Sequence, residues 1–331
     1  MGLRGYILKR LGYTVFLVLF VIVVNWFIFQ AMPGVQGAIS ALQGNPRSTS
    51  KQFLYYQQLY GLDKPPLERF VDYFWSMLTF NFGTSFQTQH LVISDIVGTG
   101  RLFNTLLLLG SSAVLSLVIG IVIGVVVSTR RGSGVDSVSV TGSLTTFSLP
   151  TFWIGLTLIT IFSVLLNWFP QGNVVPNTWA QFGKPPWPEY LVVRLQYLFL
   201  PLLTLTLIQY GGYLLLTRAT MLEALSEDYV NTARAKGLKE RTVVYKHVLK
   251  NASLPLVTAS ALAFGTVLGG AIITETVFNW DGLGLWLYNA IQNKDFPVMQ
   301  AMFYILALSV IIANFISDLI YGIIDPRIRY E

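Results

Sequence analysis

Glu223-Ala-Leu-Ser-Glu-Asp-Tyr-Val-Asn-Thr-Ala-Arg-Ala-Lys-Gly-Leu-Lys-Glu-Arg241, with Lys250-Asn-Ala-Ser-Leu-Pro255 a little further on, bounds the longest polar, charge-dense interval in the second half of a very apolar chain. Strongly hydrophobic segments flank it on both sides. Inside it, small and apolar residues recur at helical spacing. Val230, Ala233 and Gly237 stand at i, i+3 and i+7, and Val244 and Val248 at i and i+4. That spacing predicts a short helix, a break at Gly237 and a second short helix, each with one face able to dock. Gly237 suits a helix C-cap or a close backbone contact. Two readings stay open. The pair is either a surface hairpin that packs only on its own chain, or an element that seats on a partner.

The flanking segments decide the class. Of 331 residues, 53% are hydrophobic and 11% charged, against about 25% charged in a soluble domain. Such a chain cannot cover its apolar surface with polar groups, so lipid must cover part of it. The net charge of +6 would suggest nucleic acid in a soluble protein; here membrane topology explains it, and no nucleic-acid partner is expected. The sequence has no cysteine, which excludes a disulfide framework, a thiolate metal site and a Cys nucleophile. With His90 and His247 the only histidines, a multi-His metal site is excluded as well.

Reading along the chain predicts an all-α polytopic membrane protein with six spans. Residues 1–10 carry Arg4, Lys9 and Arg10 and precede an apolar run at 11–32. The run exceeds a signal-peptide core of roughly 7–15 residues and lacks a small-x-small cleavage site, so it is read as a retained first span. Residues 33–101 form a long extracytoplasmic loop. Within it Phe70–Phe80 is aromatic and amphipathic, suited to lying in the interface or packing as a small helix over the outer mouth. The second span is 102–128, with Gly120 and Gly124 four apart on one face, a spacing that allows close helix approach. Residues 138–169 would reach about 48 Å as one helix, more than the roughly 30 Å of a hydrocarbon core. Pro150 therefore predicts a kink or an interfacial lead-in to the third span. The fourth span is 195–216, the polar interval occupies 217–254, the fifth span is 255–277 and the sixth 299–324, followed by a tail at 325–331.

With the N-terminus in the cytoplasm, 14 of the 22 Lys and Arg fall on the cytoplasmic side, at 1–10, 130–136, 217–250 and the tail. This asymmetry predicts both termini, and the polar interval, inside. No phosphate-binding G-x-x-x-x-G-K-[ST], H-E-x-x-H or G-x-S-x-G occurs, so the chain has no energy-converting site of those kinds, and no cofactor is expected. Asp318 and Glu275 are ionisable residues within spans, with Asn104, Gln209 and Asn314 further polar candidates. Intramembrane charge is a functional hypothesis by default. A stand-alone carrier or channel coupled through Asp318 or Glu275 is thus the alternative to a pore driven by a partner, and an assembly scaffold is a third reading.

Asp228-Tyr-Val-Asn-Thr-Ala-Arg-Ala-Lys-Gly-Leu238 resembles the cytoplasmic loop of the membrane subunits of prokaryotic ABC importers, closest to the dipeptide/oligopeptide permease B subfamily. Tyr6–Leu11, Tyr60–Pro65, Asn81–Ser85, Ser148–Gly155, Glu275–Gly284 and Ile324–Tyr330 are similar to that subfamily too, so the resemblance covers nearly the whole chain. Asn231 and Lys250 depart from the wider superfamily, as this branch does. The resemblance implies a type I importer bundle in the prokaryotic inner or plasma membrane. It implies a second permease subunit, two cytoplasmic ATPases, an extracytoplasmic solute-binding protein, and peptides or similarly sized solutes, with oligosaccharide and nickel further options. It also implies that Tyr229, Val230, Thr232, Ala233, Arg234, Ala235, Lys236, Gly237 and Leu238 couple to the ATPase. The solute-contacting residues are not assigned.

Overall fold

A computed structural model describes residues 3–31, 64–253, 255–256 and 272–324. Residues 32–63, most of the span expected at 255–277, and the tail at 325–331 lie outside the described residues. Among the described residues the chain is helical, with one isolated antiparallel bridge between Thr84 and Leu91.

The long helices are α1 (Leu3–Ala31), α4 (Arg101–Thr129), α8 (Trp187–Leu225) and α12 (Phe296–Ile324). Each is long and apolar enough to cross a membrane. A bent pair, α5 (Gly134–Ser148) and α6 (Thr151–Leu158), the latter extended by a π-helical stretch Ile159–Leu165, makes a fifth candidate. The described residues therefore carry four or five candidate spans where six are expected over the whole chain. Shorter helices are α2 (Pro66–Leu78), α3 (Val92–Gly98), α7 (Trp179–Phe182), α9 (Asp228–Ala235), α10 (Glu240–Thr242, running on as π-helix through Val243–Val248) and α11 (Leu283–Gln292).

Pro150 separates α5 from α6. Leu149 and Pro150 are both extended, with ψ 140 and 137, because proline has no N–H and disfavours helical geometry in the residue before it. The two helices meet at 104°, a turn rather than a kink within one rod.

α8 differs from its expected extent. It starts at Trp187, after Pro186, and continues past 216 to Leu225. Its 39 residues span about 58 Å, well beyond a bilayer core. The polar residues after 216 do not end the helix because they have partners there. Arg218 is ion-paired to Asp136, and Met221 and Ala224 are buried.

α4 and α8 pack backbone to backbone. Ser112, Ser116, Gly120, Gly124 and Ser128 recur every fourth residue on α4 and are buried. A Cβ at Gly124 would stand 2.5 Å from the Thr217 Cβ and 3.0 Å from the Leu214 carbonyl oxygen. Helices without a side chain at the crossing approach this closely, and van der Waals contact then holds them in lipid. α1 pairs instead with α12. The Tyr6 hydroxyl donates to the Asp318 carbonyl at 3.1 Å, and Arg10 meets the Asp318 carboxylate at 3.0 Å.

Three apolar clusters result. One joins α1, α2, α3, α11 and α12 around Met77, Trp286 and Met302. A second joins α4, α6 and α8 around Leu108, Phe278 and Trp280. The third gathers Val125, Met221, Ala224, Val230, Ala233, Val243, Val244, Val248 and Ala252 where α4 and α8 end. α2 lies against α1, with Trp26 and Phe70 edge to face and Asn25 donating to the Tyr73 hydroxyl at 2.8 Å. The outer faces of the long helices are apolar as well, as at Phe16, Phe103, Val122 and Leu195. That is how a chain surrounded by hydrocarbon presents itself.

Candidate functional site

α9 has eight residues, too few to hold a helix alone in water. Docking makes it. Val230 is 0% and Ala233 6% exposed, packed against Val125 of α4, Met221 and Ala224 of α8, and the helix that follows. Full burial of a valine is worth about 1.5–3 kcal/mol. Asp228 in the first turn complements the helix dipole.

The break after α9 is a Schellman cap. The Gly237 N–H donates to Arg234 O at 2.9 Å and the Leu238 N–H to Ala233 O at 3.4 Å, the paired reverse bonds that satisfy the last carbonyls. Gly237 has φ +75, and a Cβ built there would meet nothing within 4 Å. Of the two roles expected for this glycine, the cap is present and the close backbone contact is not. Arg234 then clasps Glu240 at the start of α10 with two bonds, of 2.7 and 3.2 Å. Hydrogen bonding to Arg234 holds the Glu240 carboxyl below its ordinary value, and the same contact raises the Arg234 guanidinium.

The nine residues expected to couple thus divide. Val230 and Ala233 face inward onto their own chain, and Tyr229 is half-buried with its hydroxyl enclosed and without a hydrogen-bond partner. Thr232, Arg234, Ala235, Lys236, Gly237 and Leu238 are exposed. At about 100° per residue, Asn231, Thr232 and Ala235 form the face opposite the buried one. Leu238 extends it as an exposed apolar side chain, at 40%. Within this chain the small-residue face at 230 and 233 packs on Val125, Met221 and Ala224, and the outward face is the one opposite it.

The two carboxylates offered for ion coupling have structural partners. Asp318 pairs with Arg10. Glu275 is 0% exposed, accepts from the Thr105 hydroxyl at 2.6 Å and from the Leu285 N–H at 3.0 Å. The Thr105 hydroxyl oxygen in turn accepts from the Leu283 N–H at 2.8 Å. Together they satisfy the first amides of α11, which otherwise lack acceptors. Gly282 and Gly284 let the loop wrap this carboxylate. A Cβ at Gly284 would stand 2.8 Å from Ile272 Cα and 2.9 Å from Glu275 Oε2. Beside this lies a second polar layer. Arg194 donates to Asn104 Oδ1 at 2.5 Å, Asn104 donates to Asp281 O at 2.6 Å, and the Trp280 indole donates to Asn104 O at 3.1 Å.

Asp295 and Asp136 are buried carboxylates that sequence reasoning did not single out. Asp295 accepts from the Ser85 hydroxyl at 2.5 Å and from the N–H groups of Phe86 and Gln87 at 3.1 and 3.2 Å. Asp136 pairs with Arg218. The pattern Ser133-x-x-Asp136 before an apolar run is a helix-start signal that would have marked the second. The first joins residues far apart in sequence and left no local trace.

Comparison with known proteins bears on the whole chain. A family described as "Binding-protein-dependent transport system inner membrane component" matches residues 116–330. The oligopeptide transport system permease protein of Bacillus subtilis (strain 168) is 34% identical over 99% of this chain and 100% of its own length. The di/tripeptide transport system permease protein of Pseudomonas aeruginosa (strain UCBPP-PA14) is 34% identical over 99% of each chain. The glutathione transport system permease protein of Escherichia coli (strain K12) is 35% identical, again over 99% of each.

Proposed function

The chain belongs to the inner-membrane components of binding-protein-dependent transport systems, and on that premise we propose how it is driven and what passes through it. It is a permease subunit of an ABC importer. It is not itself an enzyme, and ATP hydrolysis belongs to separate subunits. It forms half of a translocation pore with a second, different permease chain. Six spans place both termini and the loop at 217–254 in the cytoplasm, the fifth span crossing at 255–277. An extracytoplasmic solute-binding protein delivers the solute, a peptide or a molecule of similar size. The names of the three relatives, for oligopeptide, di/tripeptide and glutathione systems, support that class of cargo.

One observation carries the coupling role. α9 is a helix too short to stand alone, held on α4, α8 and α10 by its buried face, with Asn231, Thr232, Ala235 and Leu238 left outward. A helix seated this way moves with the ends of α4 and α8. A partner that grips the outward face therefore moves the bundle. Small exposed side chains at 232 and 235 suit a helix that sits in a groove. Lys236, Lys239 and Arg241 flank it and suit acidic residues on the rim of such a groove.

The test contrasts two substitutions. Ala235→Asp puts a charge on the outward face and is expected to release the ATPases from the purified complex without changing the thermal stability of the permease. Ala233→Asp puts it in the apolar cluster and is expected to lower stability first. ATPase binding that survives Ala235→Asp and Leu238→Asp together would refute the assignment of this face.

A further inference from the structure

The cytoplasmic end of α8 is tied to α5 by one built contact. Arg218 Nε reaches Asp136 Oδ1 at 2.7 Å and Arg218 Nη2 reaches Oδ2 at 2.8 Å. The Gly132 N–H also donates to Oδ2 at 3.0 Å, and the Asp136 N–H donates to the Ser133 hydroxyl at 3.3 Å. Asp136 is 4% exposed. The carboxylate is thus bonded to the α4–α5 turn and to α8 at once. A bidentate guanidinium–carboxylate pair fixes orientation as well as distance.

Its place in the fold gives it a use. Arg218 lies one to two turns before Met221 and Ala224, the α8 residues on which α9 is seated. Asp136 is in the first turn of α5. At its far end α5 turns through 104° into α6. Midway, α5 crosses α8 where a Cβ at Gly211 would lie 2.9 Å from Ser143 O. α5 packs on α8 over that contact, and among the described residues none of the three apolar clusters contains a residue of α5. The pair at 136 and 218 is the charged link between the seat of α9 and the start of α5.

We propose that Arg218 and Asp136 are positioning residues for transport, which pass the displacement of the α9 seat to α5 and through the Pro150 bend to α6. The inference rests on the reading of α9 as the ATPase-coupling element. Loss of the pair leaves α9 seated and the ATPases bound, while α5 no longer follows.

This chain has no native cysteine, so it can be labelled at introduced cysteines alone before assembly with its partners. In the full transporter, with its ATPases, spin labels are placed on Tyr245, exposed on the helix that follows α9 and outside its outward face, and Phe16 in one preparation and on Thr145 and Phe16 in another. Distances are compared without nucleotide and with ATP and vanadate. In the otherwise unaltered protein both distances shift, on the order of 2–5 Å. In Asp136→Asn the Tyr245 distance still shifts and the Thr145 distance does not. The exchange Asp136→Arg with Arg218→Asp restores the second shift. A Thr145 shift that persists in Asp136→Asn overturns the inference alone. No Tyr245 shift in the unaltered complex overturns the coupling reading, and the inference with it. Arg218→Gln is read in parallel. If neither single variant retains the ATPases, the pair serves assembly and the inference is wrong.

Discussion

Val230→Ala removes two carbons from a side chain that is 0% exposed. At about 0.8 kcal/mol per buried carbon, with a small cavity left behind, the seating of α9 loses about 2 kcal/mol. Little else holds it. The Arg234–Glu240 pair is exposed, 44% and 60% at its side chains, and such pairs contribute about 0–1 kcal/mol. Apolar burial therefore dominates, and the unseated fraction of α9 rises roughly thirtyfold. Hydrogen exchange reads this directly, because local opening sets the protection of each amide. Amides at 230–238 should exchange roughly thirtyfold faster, while those of α4 and α8 near Gly124 and Leu214 stay unchanged. Glu240→Gln should change the same amides no more than a few fold. Equal protection in Val230→Ala and the parent chain would refute the argument, as would a loss spread evenly over α4 and α8.

Other consequences are as specific. Gly124→Ala places a Cβ 2.5 Å from the Thr217 Cβ, so the α4–α8 pair must part. A loss of about 1–3 kcal/mol is expected in a thermal-shift or denaturant assay, whereas Gly142→Ala, inside α5 with nothing within 4 Å, should stabilise by up to about 1 kcal/mol, alanine being the better helix former. Gly237→Ala forces an L side chain into φ +75 and should cost about 1–2 kcal/mol, seen as faster exchange at 234–238. The depressed Glu240 carboxyl means the Arg234 contact is present above its ordinary value of 4.5 and is lost as pH falls through the lower folded value. Exchange at 234–240 should quicken only on that acid side, and less so in high salt. Glu275→Ala takes an acceptor from the α11 amides and should cost about 1.5–3 kcal/mol. It should open no ion-driven flux in vesicles that hold the chain without ATPases.

Much of this architecture is written locally, and some is not. Helix, break and helix around Gly237 follow from spacing and from one residue free to take positive φ. The turn at Pro150 follows from the covalent ring. The direction in which the 230–233 face points was not legible. Periodicity marks a buried side without naming what buries it, and Val230 with Ala233 reads the same whether the cover is α8 or another protein. The end of α8 was hidden for a related reason. Arg218 breaks an apolar run, and only its partner 82 positions away explains why the helix continues. Glu275 reads as an ion site until Thr105, 170 positions off, and the α11 amides are seen to engage it.

A photo-crosslinking residue at position 235, set against one at 233, reads what touches each face of α9 in native membranes. At 235 the adduct should contain an ATP-hydrolysing polypeptide; at 233 the product should be internal to the chain. An adduct at 235 without any nucleotide-binding partner would contradict the claim that this subunit is moved from outside itself.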